Sequence, residues 1–330
     1  MIELKNDRLV FSFPEVHADA TSTVEFQRTL RIPDDNREYP LPPGFRQFPM
    51  QHVDDFDGNV PKKWQAHGGV FLPMYQSEAM WINFHGDYPM AIKIAAGKID
   101  AITGDDWKND LTEDPQDYVV IPEQPWLDGF CVDKGLIRQF VAMPLGAGYT
   151  AEEQLTGEAE HGGIQIIAYP MKAKVYEERY ARMETMSDVC YMASEIVGAP
   201  EAEMGLAPGG LMRQEIYDDP FGFDVWDTSV SSRCFIHIVN SMQYFAVTGQ
   251  KPPTEPPTAV DYTEAGLPWF EYYASELKAL DGAKKLAGLD SVAAKKVKKG
   301  EGVLEDNDPV EPGVVVKLGK GKNVVREGSF

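Results

Sequence analysis

Apolar and polar residues alternate through much of the first half of the chain. Leu9-Val-Phe-Ser-Phe13 and Ser22-Thr-Val-Glu-Phe-Gln-Arg-Thr-Leu30 carry the two-residue period of half-buried strands. Trp81-Ile-Asn-Phe84 continues the pattern, and Ala91-Ile-Lys-Ile-Ala95 and Lys98-Ile-Asp-Ala-Ile-Thr103 flank Ala96-Gly97, which predicts a hairpin. Tyr118-Val-Val-Ile121, Leu136-Ile-Arg-Gln-Phe-Val-Ala-Met143 and Gly163-Ile-Gln-Ile-Ile-Ala-Tyr169 read as further short strands. So many short strands before residue 173 predict a β-sandwich-like or open-barrel body.

The period then changes. Tyr176, Tyr180, Met183, Met186, Cys190, Ala193 and Val197 recur at helical spacing and stop at Gly198-Ala-Pro200, which predicts an amphipathic helix. Its Met and Tyr stripe reads as core packing rather than as the lining of a cofactor pocket. Residues 234–248 are apolar, β-branched and aromatic enough for one or two buried strands, with a buried helix as the alternative that period alone leaves open.

Proline sets the connections. Tyr39-Pro-Leu-Pro-Pro-Gly44 predicts an ordered crossing loop, and Lys251-Pro-Pro-Thr-Glu-Pro-Pro257 a stiff extended strap. Gly266-Leu-Pro268 is expected to start a helix with Trp269, Tyr273, Leu277 and Leu280 on one face. The resulting fold class is α+β, with helices packed against the β body. Three regions follow: a β-rich domain over 1–172, an α+β region with the strap over 173–292, and a mobile or swapped C-terminal arm over 293–330.

Charge narrows the expected partners. The 330 residues carry 52 acidic and 31 basic side chains, for a net charge of -21. Such a surface repels phosphate backbones and anionic headgroups, so neither nucleic acid nor a membrane is an expected partner. Cationic ligands are more compatible, although acidity also serves plain solubility. Cys131, Cys190 and Cys234 are far apart and flanked by apolar residues, which reads as free thiols in a reducing compartment. No apolar run reaches the ~18 residues that a membrane helix needs. The amino-terminal segment lacks the apolar stretch of a secretory signal, so the expected compartment is the cytoplasm.

Two strings carry a resemblance: Asp117-Tyr-Val-Val-Ile-Pro-Glu-Gln-Pro-Trp-Leu-Asp-Gly-Phe130 with Arg138-Gln-Phe-Val-Ala-Met-Pro144, and Pro256-Pro-Thr-Ala-Val-Asp-Tyr-Thr-Glu-Ala-Gly-Leu-Pro-Trp-Phe-Glu-Tyr-Tyr273. Together they resemble a family of uncharacterised soluble bacterial proteins over most of residues 35–293. The resemblance implies a bacterial origin and brings no activity with it.

The most chemical-looking segment is Glu152-Glu-Gln-Leu-Thr-Gly-Glu158-Ala-Glu160-His161-Gly-Gly163. Glu158, Glu160 and His161 are the candidate catalytic residues, because carboxylates beside an imidazole can supply general acid and base groups. Extended backbone would put Glu158 and Glu160 on one side and His161 on the other, a poor geometry for a single metal, so no residue is assigned to a metal. Thr150-Ala-Glu-Glu153 fits a capping box. His67-Gly-Gly-Val70 echoes His161-Gly-Gly-Ile164, and Gly135-Leu-Ile-Arg-Gln139 echoes Gly210-Leu-Met-Arg-Gln214. An internal duplication of β halves would produce such echoes and would bring His67 near His161. No fixed period connects them, and chance similarity at turns remains the competing account.

Asp218-Asp-Pro-Phe-Gly-Phe-Asp224-Val-Trp-Asp227 reads as turn chemistry rather than a calcium loop, and His237 as a satisfied core histidine. No nucleophile elbow, phosphate loop or dinucleotide fingerprint is present. Trp126, Trp269, Phe270, Tyr272 and Tyr273 lie beside prolines and are the candidate binding or interface residues. The function expected from these features is binding and assembly into homo-oligomers. The alternative is a hydrolase or lyase with a carboxylate/histidine site, with or without a metal. Neither a cofactor nor a particular small-molecule ligand is indicated.

Overall fold

The alternating segments join one large, mainly antiparallel sheet in the computed structural model, which describes residues 1–56, 58–180, 203–274, 276–302 and 310–318. Thr21–Thr29 lies between Arg8–Ser12 and Ala79–His85, with Phe11 opposite Ser22 and Phe26 opposite Ile82. The far end of Ala79–His85 meets Leu136–Pro144, which pairs with Glu203–Arg213. From there the ladder runs through Ser232–Asn240 and Ile164–Pro170 to Met90–Ala96. The sheet does not close into a barrel, and with the helices it makes an α+β fold.

Burial explains the patterns. In Arg8–Ser12 the alternate residues Leu9 and Phe11 are buried, whereas Met90–Ala96 and Ile164–Pro170 are buried along their whole length. Two ion pairs are taken into this interior. Arg28 lies 2.6 Å from Glu78, and Lys93 lies 2.5 Å from Asp117, which leaves neither cation without a counter-charge. Arg28 also donates to the carbonyl of Thr254 at 2.6 Å, and the Tyr75 hydroxyl donates to that of Pro253 at 3.0 Å. The proline strap is thereby tied across the sheet.

The expected hairpin at Gly97 forms, with Ala96 opposite Ile99 and Gly97 at φ 60°. Its second strand is short because the Asp100 carboxylate accepts from the amides of Ile102 and Thr103 and turns the chain. Residues 234–248 divide into the end of strand Ser232–Asn240 and a helix, Ser241–Thr248. The helix starts where the Asn240 side chain accepts from the amide of Met242 and ends at Gly249 in the left-handed region.

The helix expected after Pro268 is instead a strand, Trp269–Tyr272, parallel to Val315–Leu318. Tertiary pairing decides the matter: Trp269 N–H donates to Val314 O at 2.7 Å, and Phe270 N–H donates to Leu41 O at 2.8 Å. Of the predicted helix over 176–197, Ala173–Tyr180 is helical, and the remainder lies outside the described residues. Within the carboxy-terminal region, Ser291 caps the helix Val292–Lys298, whose Val292 is buried against the sheet body. No described helix is long and apolar enough to cross a membrane.

Candidate functional site

Two places collect the chemistry singled out in the sequence. The first is a histidine corner built on the strand Ser232–Asn240. Val70–Met74 lies parallel along one part of that strand and Ile164–Pro170 antiparallel along another, and each flanking strand is entered through a His-Gly-Gly turn. The glycines of both turns have positive φ, 62° and 86° at Gly68 and Gly69, and 61° and 59° at Gly162 and Gly163. A Cβ at Gly69 would sit 2.2 Å from the Phe235 carbonyl oxygen, and one at Gly163 would sit 2.6 Å from that of Ile236, so glycine alone fits both turns. The repeated tripeptide therefore reflects two turns that meet the same strand.

This arrangement brings the His67 and His161 rings to a centroid separation of 5.9 Å. His67 also stacks on Phe235 at 4.7 Å. His237 stands parallel to it at 6.2 Å, sandwiched against Trp64 at 4.6 Å. Burial lowers the pKa of His237 to about 4, and its Nε2 lies 3.1 Å from the carbonyl of Gly68, so it sits neutral in the wall. His67 is lowered by partial burial and by the neighbouring charge of His161.

Glu158 and Glu160 project toward one cation, Lys98, at 3.2 and 2.7 Å. The Lys98 hydrogen bond holds the Glu160 carboxyl below its ordinary range, with His161 reinforcing the effect from 3.4 Å. An exposed, ion-paired carboxylate of this kind offers a base or a charge partner, not a protonated acid at neutral pH. The buried acid of the segment is Glu152, which accepts from the amides of His161 and Gly162, the latter at 2.9 Å. Thr150 and Glu153 form both halves of the capping box that starts this turn of helix. Among the described residues, no group of three His, Cys, Asp or Glu side chains is arranged to hold a metal ion.

The other acidic segment is consumed by its own turn. Asp219 accepts from the amides of Phe221 and Gly222, the Tyr118 hydroxyl and the Trp226 indole. Burial pushes the Cys131 and Cys234 thiols up to about 12, so neither is a ready nucleophile.

The second place is an aromatic pocket of ≈ 150 Å³ where the 41–44 loop meets the ends of several strands. Pro42, Pro43, Trp81, Trp126, Asp128 and Phe270 are among its lining residues. Trp81 and Trp126 meet edge to face, with centroids 6.1 Å apart and planes at 73°. Of the interface candidates, Trp126 and Phe270 line this pocket, while Tyr272 packs behind Trp126 at 5.1 Å. Trp269 is buried beside a second cavity of ≈ 120 Å³, and Tyr273 is exposed.

Trp81 and Asp128 were not singled out in the sequence. Asp128 lies two residues from Trp126, in the break between strands Trp126–Leu127 and Gly129–Asp133. Its carboxylate accepts from Gln214 at 2.8 Å, and burial pushes its pKa up to about 7. No family model, no curated protein and no solved structure matches this chain.

Proposed function

We propose that this protein is a binding and assembly protein that forms homo-oligomers. The observation that carries the reading is the strand Val315–Leu318. It pairs with Trp269–Tyr272 on one side and, among the described residues, has no strand on the other. Val314, Val315, Val316 and Leu318 are all exposed, at 61%, 39%, 37% and 37%. An apolar edge of this kind is a template for another strand, and natural folds usually blunt or cover it.

A second copy is the occupant that charge favours. The chain as a whole repels its copies at a net charge of -21, but the ribbon is locally neutral. Glu271 is matched by Arg213 at 2.7 Å and by Lys317 at 3.2 Å. Copies meeting there would bury apolar side chains beside a carboxylate that is already matched by cations. Native mass spectrometry should show a discrete oligomer, and Val316→Lys should convert it to monomer while leaving the subunit folded by circular dichroism. A wild-type monomer at tens of micromolar concentration overturns the reading.

The alternative, a hydrolase or lyase acting at the carboxylate/histidine segment, is favoured by one observation: the approach of His67, His161 and Glu160 at one surface corner. Its discriminating variant is Glu160→Ala.

A further inference from the structure

The aromatic pocket shares Leu318 with the edge strand of the assembly reading, but that reading leaves its rings and its carboxylate unexplained. Its walls are indole, phenyl and proline rings together with Leu41 and Leu318, and among the residues lining it Asp128 is the only ionisable one. Two indoles, Trp81 and Trp126, pack edge to face with their planes at 73°, and both line the cavity. Phe270 adds a third ring, contributed by a strand distant in sequence. Aromatic faces carry negative quadrupole potential, and a cation placed among several of them is attracted without strong hydration of its own. A single carboxylate beside such rings completes a counter-charge.

We propose that this pocket binds a small organic cation bearing a methylated ammonium group, with Trp81, Trp126 and Phe270 as its cage and Asp128 as its counter-charge.

Three further observations fit that ligand class. The volume of ≈ 150 Å³ suits a small ammonium headgroup and excludes a long chain folded into it. The net charge of -21 draws cations toward the surface and repels anions. The position of Asp128 is fixed before any ligand arrives, because Gln214 clamps it twice: its Oε1 accepts from the Asp128 amide at 3.0 Å and its Nε2 donates to the carboxylate at 2.8 Å. A counter-charge held in place in this way needs no rearrangement to receive a cation.

The edge of the Trp81 indole is closely covered by the 41–44 loop: a Cβ at Gly44 would lie 2.9 Å from its Cζ2 and 3.2 Å from its Nε1.

The test uses the wild-type protein and two probes of nearly equal shape, choline and its neutral isostere 3,3-dimethylbutan-1-ol, titrated by calorimetry with tryptophan fluorescence in parallel. Choline should bind saturably, at least about tenfold more tightly than the neutral isostere, as expected for a desolvated cation–π site. Asp128→Asn and Trp126→Ala should each weaken choline about tenfold or more, with folding checked by circular dichroism. Equal affinity for the two probes would overturn the proposal and leave a merely apolar pocket, as would the absence of saturable choline binding to the wild-type protein. Neither result depends on a variant that fails to fold. The oligomeric state is measured separately, so the assembly reading stands or falls on its own.

Discussion

The histidine corner is built on strands of the large sheet, and the aromatic pocket where that sheet meets the small sheet of Trp269–Tyr272 and Val315–Leu318, and the two treat polar groups in opposite ways. At the corner, charge is met by charge and amides by carboxylate: Lys98 holds Glu158 and Glu160, Lys63 pairs with Glu203, and Glu152 takes the two amides of the His-Gly-Gly turn. In the pocket, a buried carboxylate with its pKa near 7 and a buried indole N–H that has no partner among the described residues lie beside an apolar space. A site whose polar groups already satisfy one another has little left to offer a ligand. One that holds them desolvated and preorganised does.

The largest effect that can break this comparison is expected at Glu152. If the corner is held by that carboxylate, Glu152→Ala leaves two part-buried amide donors at His161 and Gly162 without their acceptor and should cost about 1–3 kcal/mol of stability in urea denaturation. A variant as stable as the wild type would mean that the turn stands without it, and the corner would lose its claim to a structural explanation.

The pocket is sharpened by pH. Asp128 is raised from 3.8 to about 7 by burial. Between those values the unfolded chain has released the proton that the folded chain keeps. Stability is therefore fullest at low pH and falls as pH rises through about 7. Asp128→Asn removes this contribution, so the wild type should lose stability more steeply than the variant between pH 5 and 8, with the variant ahead at pH 8 by at least about 1 kcal/mol. Parallel profiles would show that Asp128 is not held in a desolvated site. Asp100, also pushed up to about 7 by burial, contributes the same sign in both proteins and so cancels from the difference.

The sequence carried the strands of the body better than either site. Period two at Leu9 to Phe13 and the Gly97 hairpin are local signals, and local signals survive folding. The segment after Pro268 misleads because Trp269 to Tyr272 satisfies its backbone against Leu41 and Val314, partners that no window of sequence contains. The same holds for the pocket, whose rings come from positions 81, 126 and 270. By contrast, the repeated His-Gly-Gly was a legible sign of the corner. Its meaning, two turns against one strand, needed the register of Val70–Met74 and Ile164–Pro170 along Ser232–Asn240.

The smallest expected effect is the most discriminating for function. Glu160 is exposed, and its partner Lys98 keeps Glu158 as a second carboxylate within 3.2 Å. Removing one of two exposed acids from a shared cation should leave the melting temperature of Glu160→Ala unchanged, since such pairs contribute little in water. That neutrality makes the variant a clean probe. Should the protein hydrolyse or eliminate any substrate in an activity screen, loss of that activity in a fully stable Glu160→Ala would move the working site to the histidine corner. An unchanged rate, together with choline binding that depends on Asp128, would leave the corner as scaffolding and the pocket as the place where this chain meets its ligand.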